Sequence, residues 1–266
     1  MVTVRGMRVA GERTNGAEEL LVPAVDKAFK ILDVLKGQDF EFTIVEIAKA
    51  LNLNKSTVQK LLVTLSYYGV VQRDDATKRC RLGMSLAEYG SIVLSGFDLR
   101  RAAKPFLKSL MEYSGETACL GVLQGTKVVI VDKMEPPTEI RVNPHVGWRF
   151  AATLNVMGKA ILAWLPPDRL DEILLREGLP VRTSKSITER AVYEADLRET
   201  RERGYATEWQ EFHDSVNGVA APIRDHRMKV VASIAVGGPQ FRMTKEKMSD
   251  LGKKCIEAAM EISRIA

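Results

Sequence analysis

The chain has 266 residues, of which 45% are hydrophobic and 27% are charged. This balance is ordinary for a folded globular protein, and it excludes a disordered or collagen-like chain. The length predicts two domains or one large one. No apolar run approaches the roughly 18 residues of a membrane span, and the N-terminus lacks the apolar core of a signal peptide, so we expect a cytoplasmic protein. Three widely separated cysteines argue against a disulfide framework or a Cys-rich zinc site.

The basic residues are concentrated in one part of the chain. The 39 Lys and Arg residues exceed the 34 Asp and Glu residues by five. Residues 54–81 hold six basic and two acidic side chains, whereas residues 1–22 carry no net charge. The composition of residues 1–22 predicts a disordered tail. The basic stretch indicates an anionic partner, although a solvated basic surface would look similar.

Three short helices are predicted after this tail. The first begins at Pro23, carries Val25 and Phe29 on its apolar stripe, and ends at Gly37 as a left-handed cap. The second opens at Thr43, which forms a capping box with Glu46. The third runs from about residue 55 to residue 68 and stops at Gly69. A tight turn between the second and third helices is typical of a helix-turn-helix.

A short hairpin with a basic return strand follows, over residues 70–73 and 78–82, and is interpreted as a wing. The polar face of the third helix and the wing carry side chains that donate hydrogen bonds to phosphates or reach base edges in a major groove. The sequence therefore predicts a double-stranded DNA interface formed by Lys55, Ser56, Thr57, Gln59, Lys60, Thr64, Arg73, Lys78, Arg79 and Arg81.

The remaining chain is predicted to form a linker and a second domain. We expect a winged helix-turn-helix domain over residues 23–83, a linker helix region over 84–114, punctuated at Gly96 and Pro105, and a domain over 115–266. Strands in hairpins with helices alongside indicate an α+β domain on an antiparallel sheet.

Within the second domain, four local features are expected. Residues 139–143 are a candidate short strand. A helix covers residues 153–165, and Thr188 or Ser186 caps a later helix that ends at Gly204. The strand over residues 229–236 is expected to be broken by the sequence Gly-Gly-Pro at 237–239.

Motifs of common catalytic sites are absent from the sequence, including nucleotide-binding glycine loops, H-E-x-x-H and G-x-S-x-G. His145, His213 and His226 lack acidic or Cys partners at ligand spacing, so neither a metal nor another cofactor is predicted. A titratable cluster around Glu208 and His213 leaves an enzyme with an accessory DNA-binding-like domain as an alternative. A DNA-binding protein without an effector is a second alternative.

Several stretches resemble the IclR-type transcriptional regulators. In the N-terminal domain they are NKSTVQKLL at 54–62, GVVQRD at 69–74 and RLG at 81–83. In the second domain they are GET at 115–117, VDK at 131–133, GKAILA at 158–163, RGYA at 203–206 and VAAP at 219–222. Together they span roughly residues 23–265 in the family's order.

The resemblance implies a homodimer or dimer of dimers on a palindromic operator, with an effector domain of the GAF or profilin type that holds a small organic acid. The family's effector carboxylate lies at positions that match Asn155, Val156 and Met157, and Glu208 matches an acidic residue that lines the pocket. A helix N-terminus suits an anion, because its N–H groups are free.

Three departures from the family pattern concern this pocket. Gly218 stands where members often carry Cys, and Ala235 and Gly237 stand where they often carry Ser. Each change removes volume or a polar group, so we expect a roomier, less polar pocket and a larger acid, for example an aromatic one. Arg141 and Arg149 are candidate extra partners for a carboxylate, with exposed arginines as the alternative.

Overall fold

A computed structural model describes residues 21–36, 41–95 and 98–265. These residues form two compact units, one that ends with the fourth helix and one that begins with the fifth. The expected cap at Gly37, the break at Gly96 and nearly all of the predicted tail lie outside the described residues. No helix in the described ranges is long and apolar enough to cross a membrane.

The first unit is a helix-turn-helix with a wing, as predicted. Its helices are α1 (Pro23–Leu35), α2 (Ile44–Leu51), α3 (Lys55–Tyr67) and α4 (Ser85–Ser95). Its strands are β1 (Phe42–Thr43), β2 (Val71–Arg73) and β3 (Arg79–Leu82). They form an antiparallel sheet in the order β1-β3-β2.

Local sequence signals fix the ends of these helices. The Thr43 hydroxyl accepts from the Glu46 N–H, and the Glu46 carboxylate accepts from the Thr43 N–H, which confirms the capping box. Gly69 has φ +67° and ends α3 as predicted. The expected apolar stripe of α1 is partly wrong: Ile31 and Leu35 are buried, whereas Val25 and Phe29 are exposed.

The second unit is an α+β domain on one antiparallel sheet. Its helices are α5 (Asp98–Ser114), α6 (Val156–Leu162), α7 (Pro167–Glu177), α8 (Arg190–Arg203) and α9 (Lys245–Ile265). Its strands are β4 (Thr117–Gln124), β5 (Lys127–Met134), β6 (Arg149–Ala151), β7 (Ala206–Trp209), β8 (Val216–Arg224) and β9 (Val230–Pro239). The strand order is β6-β5-β4-β9-β8-β7.

Alternate residues of each strand face opposite sides of this sheet. Ala220 and Ala235 pack with Val156 of α6, whereas Ala221, the next residue along β8, lines a groove with Ile256 of α9. Helices α6 and α9 therefore cover opposite faces, and the buried core has two layers.

The predicted strand over residues 139–143 is wrong. The edge position beside β5 is taken by β6, which the sequence reading missed. Two carbonyls of the 139–143 segment instead accept from side chains: Thr117 donates to Val142 O and Arg242 donates to Ile140 O. Prolines on both sides of the segment also disfavour ladder pairing.

Two further helix starts differ from prediction. Helix α6 begins only at Val156, because Asn155 is its N-cap and accepts from the Gly158 N–H. Helix α8 begins at Arg190 without a side-chain cap, so the expected cap at Thr188 or Ser186 is wrong. The Ser186 hydroxyl instead donates to Glu211 O and accepts from the N–H groups of residues 182 and 183.

Two expected breaks are absent. Strand β9 continues through Gly237 to Pro239, because each of these residues pairs with β8. Helix α5 likewise continues through Pro105. Proline removes one backbone donor, but burial of Leu107 and Leu110 on one face of α5 holds the helix together.

Candidate functional site

The exposed face of α3 carries most of the predicted DNA-binding residues. Lys55, Ser56, Gln59, Lys60 and Thr64 are exposed, and Thr57 is half-buried. On the opposite face Val58 and Leu62 are buried against α1 and α2, so the polar face is presented to solvent. The helix has 13 residues, and an α-helix of this length spans about 20 Å, enough to follow a major groove.

The hairpin of β2 and β3 forms the second part of this interface. The Asp74 carboxylate accepts from the N–H groups of Ala76 and Thr77, which closes the turn. These hydrogen bonds lower the pKa of Asp74, with those from Thr77 the largest cause. Arg73 and Lys78 are exposed on either side of the turn.

Two wing arginines are engaged within the first unit. The Arg79 guanidinium donates to Glu41 O at 2.9 Å and lies 3.8 Å from the Glu46 carboxylate, so it ties β3 to β1 and α2. Arg81 donates to the Gln72 side chain at 3.2 Å and remains exposed. The structure thus places Arg81 with the exposed cations and Arg79 among the residues that hold the wing.

In the second unit, the predicted effector residues converge where α6 meets β7, β8 and β9. Glu208 pairs with Gly218, and Gly218 pairs with Gly237, so these three lie in one row across the sheet. The Gly218 backbone lies below Val156: a Cβ at Gly218 would lie 3.3 Å from Val156 Cγ1. We call the space between α6 and this row the α6 cleft.

The floor of the α6 cleft consists of very small residues. Gly218 and Ala235 are buried, and Gly237 is half-buried. A Cβ added at Gly237 would have only Asn217 O within 4 Å, at 3.9 Å, so space is open above that residue. At the other end of the row Thr117 pairs with Gly237, and its hydroxyl holds the Val142 carbonyl at 2.5 Å.

The Glu208 carboxylate is bound at the edge of the α6 cleft. It accepts from the Val156 N–H at 2.9 Å and from the Phe212 N–H at 3.2 Å, and the residue is 4% exposed. Burial raises its pKa to about 7; Glu211 raises it further, while the Val156 hydrogen bond and Lys159 oppose the rise. Near neutral pH this carboxyl is therefore divided between its protonated and ionised forms.

The first turn of α6 has one N–H group without an internal partner. Val156 N–H is taken by Glu208, and Gly158 N–H by the Asn155 side chain. Among the described residues none accepts from Met157 N–H. Gly158 is required by packing, because a Cβ there would lie 1.7 Å from Ala152 O. This close approach fixes α6 against the β6 end of the sheet.

A buried lysine below the cleft was missed in the sequence reading. Lys159 is 1% exposed, and its Nζ lies 2.9 Å from Asp196 Oδ2 and 2.5 Å from Glu211 Oε2. It also donates to Thr207 O on β7. The cluster ties α6 to α8 and to the segment after β7. A charged residue within the otherwise apolar sequence of α6 was the available signal.

The other candidate residues are dispersed. Arg141 donates to Thr138 O in its own loop, and Arg149 is exposed at the start of β6. His213 accepts from the Ser215 N–H, and no hydrogen bond joins it to Glu208 in the described part of the chain. Among described residues, no three His, Cys, Asp or Glu side chains group closely enough to hold a metal ion.

Comparison with known proteins extends over both units. Residues 24–75 match the IclR helix-turn-helix domain, and residues 91–264 match the C-terminal domain of bacterial IclR transcriptional regulators. The chain is 36% identical to the regulator BhcR of Paracoccus denitrificans over 242 residues, which are 91% of this chain and 86% of BhcR. It is 30% identical to the Escherichia coli regulator XynR, with 92% of this chain and 97% of XynR covered.

Solved structures share the fold. The Thermotoga maritima IclR structure has 34% identity and a TM-score of 0.74, with 90% of this chain and 97% of that chain covered. An IclR homologue from Microbacterium hydrocarbonoxydans, in complex with 4-hydroxybenzoate, has 21% identity and a TM-score of 0.77. The alignment covers 91% of this chain and 98% of the Microbacterium chain.

Proposed function

Because this chain belongs to the IclR family of DNA-binding transcriptional regulators, we propose that a small organic acid bound in the α6 cleft controls its binding to an operator. In this proposal α3 enters the major groove through Lys55, Gln59 and Lys60, and the β2–β3 wing contacts the backbone. Effector binding shifts the protein between states with different affinity for DNA. It does so only through its own differential affinity for those states.

The observation that carries the effector proposal is the small-residue floor beside Glu208. The open space above Gly237 leaves room for a body larger than a two- or three-carbon acid, whereas Val156 takes the space above Gly218. The free Met157 N–H offers a donor for the acid's carboxylate. The Microbacterium homologue, crystallised with 4-hydroxybenzoate, supports an aromatic acid as the ligand class.

The protonation state of Glu208 is part of this proposal. An effector carboxylate that approaches ionised Glu208 would be repelled, whereas protonated Glu208 can donate a hydrogen bond to it. The raised pKa of Glu208, about 7, makes the protonated form accessible at neutral pH.

We further propose that the protein acts as a homodimer, or a dimer of dimers, on a palindromic operator. Val25 and Phe29 of α1 and Tyr89 of α4 are exposed apolar side chains in the first unit of one protomer. Exposed apolar faces of this kind are typical of protein–protein contacts. Light-scattering mass measurement should give at least twice the 29.6 kDa protomer mass; a monomer at micromolar concentration would refute the pairing.

A thermal-shift screen tests the effector proposal. A ligand that binds only the folded state at 100 times its Kd stabilises that state by about 2.7 kcal/mol, which raises Tm by about 5–10 °C in a unit of this size. We expect such a shift from aromatic acids and a smaller one from glyoxylate or pyruvate. If only the two small keto acids shift Tm, the enlarged cleft is wrong; if no acid does, the acid effector is wrong.

A variant pair locates the binding. Gly237→Ser fills the open space above the floor and should weaken binding of an aromatic acid more than binding of a two-carbon acid. Gly90→Ser, at a glycine in α4 that also has open space around it, is the matched control and should leave both affinities unchanged. Steady turnover of a bound acid would instead favour the enzyme alternative.

A further inference from the structure

A second groove lies away from the α6 cleft, between the C-terminal part of α9 and the end of the β8–β9 hairpin. Its volume is about 400 Å³, which is within the range of small-molecule sites. Ala221, Ile256, Ala259 and Met260 give it an apolar wall, and Trp164 closes one side. We call it the Trp164 groove.

One cation of the Trp164 groove lacks an anionic partner. The Arg224 guanidinium carbon lies 4.1 Å from the centre of the Trp164 ring, and one of its terminal nitrogens donates to Met228 O. Its other N–H groups have no acceptor, and no carboxylate pairs with it, among the described residues. Burial lowers the pKa of Arg224, as expected of a cation removed from water without a counter-charge.

The other charged groups that line the groove are already engaged. Asp225 accepts from the N–H groups of Arg227 and Lys229 within its own turn. Arg264 is paired with Glu261. The groove therefore combines an apolar wall with a half-buried guanidinium that lacks an anion. Stacking on Trp164 holds that guanidinium in place before any ligand arrives.

We propose that the Trp164 groove binds an apolar monocarboxylate, with its carboxylate on Arg224 and its apolar body along Ile256 and Met260. Charge complementarity selects this ligand class, because a guanidinium recognises a carboxylate through paired N–H groups. The apolar wall provides no partner for a second charged group on the ligand. This site is separate from the α6 cleft, since Ala221 faces the α9 side of the sheet and Ala220 faces α6.

The test uses the full chain and 4-bromobenzoate as probe. Tryptophan emission should be quenched saturably, because the ligand packs beside Trp164. The part of the quench that comes from Trp164 should disappear in Trp164→Phe and persist in Trp209→Phe, whereas any quench by acid in the α6 cleft should remain in Trp164→Phe. Arg224→Gln should raise Kd at least about tenfold, since it removes a charge-assisted pair of hydrogen bonds. Arg227→Gln, a neighbouring exposed arginine that does not line the groove, is the matched control and should change Kd less than twofold.

Crystals soaked in the same probe separate the two sites, since bromine gives an anomalous signal. A peak in the groove that is lost in Arg224→Gln supports the proposal. A peak in the α6 cleft alone overturns it while leaving the proposed effector function intact. A groove peak without saturable quenching means binding at crystal concentration only and also overturns it. A change in the mass of the oligomer in Met260→Glu, measured by light scattering, would show that a second copy of the chain covers the groove and would likewise overturn the proposal.

Discussion

Glu208→Gln should change how stability depends on pH. The pKa of Glu208 rises from 4.5 to about 7 on folding, mainly because the carboxyl is buried. The folded state therefore binds more protons than the unfolded state between these values. The stability that proton binding at Glu208 contributes is complete below pH 4.5 and is lost as the pH rises through about 7. The difference between the two pKa values corresponds to about 3 kcal/mol of unfolding free energy.

Chemical denaturation at pH 4.5 and pH 8 measures this contribution. The unfolding free energy of the wild type, minus that of Glu208→Gln, should fall by about 3 kcal/mol between the two pH values, or about 6–12 °C in Tm. Glu199→Gln, at an exposed position on α8, is the control and should show no such change. An equal pH response in wild type and Glu208→Gln would refute the assignment of a buried, partly protonated carboxyl beside the α6 cleft.

Three other substitutions test single residues of the account. Lys60→Ala should weaken operator binding and reduce the slope of log K against log salt by about one, measured by fluorescence anisotropy; an unchanged slope would mean no phosphate contact. Arg79→Ala should destabilise the first unit by about 1 kcal/mol, because the hydrogen bond to Glu41 O is lost. An unchanged melting temperature together with weaker DNA binding would instead indicate that Arg79 contacts DNA. Gly158→Ala should cost on the order of 3 kcal/mol, because its methyl group would lie 1.7 Å from a backbone oxygen, and a wild-type Tm would contradict that packing.

The sequence predicted best the features that short-range chemistry determines. The capping box of Thr43 and Glu46 and the stop at Gly69 involve residues three apart or a single backbone angle. Burial of Val58 and Leu62 follows from helical spacing alone. The three-helix arrangement and the wing could therefore be read without knowledge of distant contacts.

Features that depend on distant partners could not be read in this way. The segment at 139–143 has strand-like residues, but its carbonyls are held by Thr117 and Arg242, which are remote in sequence. Gly237 has the composition of a strand break, yet β8 supplies its partner. Ser186 looks like a helix cap, but its hydroxyl donates to the carbonyl of Glu211, 25 residues away.

In the α6 cleft, too, the sequence indicated the residues of interest but not their long-range contacts. Resemblance identified Glu208 and Gly237 as positions of interest, but it gave no indication that the Glu208 carboxylate accepts from the Val156 N–H. The buried pairing of Lys159 with Asp196 joins α6 to a helix more than 30 residues further along the chain. Such contacts become visible only when the sheet brings the elements together.

The most direct test of the central claim is selection of DNA from a random library by the purified full chain, with and without the aromatic acid that gives the largest thermal shift. We expect an enriched site with two related half-sites, whose affinity changes with the acid and whose base preference relaxes in Gln59→Ala. Absence of any enriched sequence, or an identical profile with and without the acid in wild type and variant, would contradict an acid-responsive regulator that reads DNA through α3.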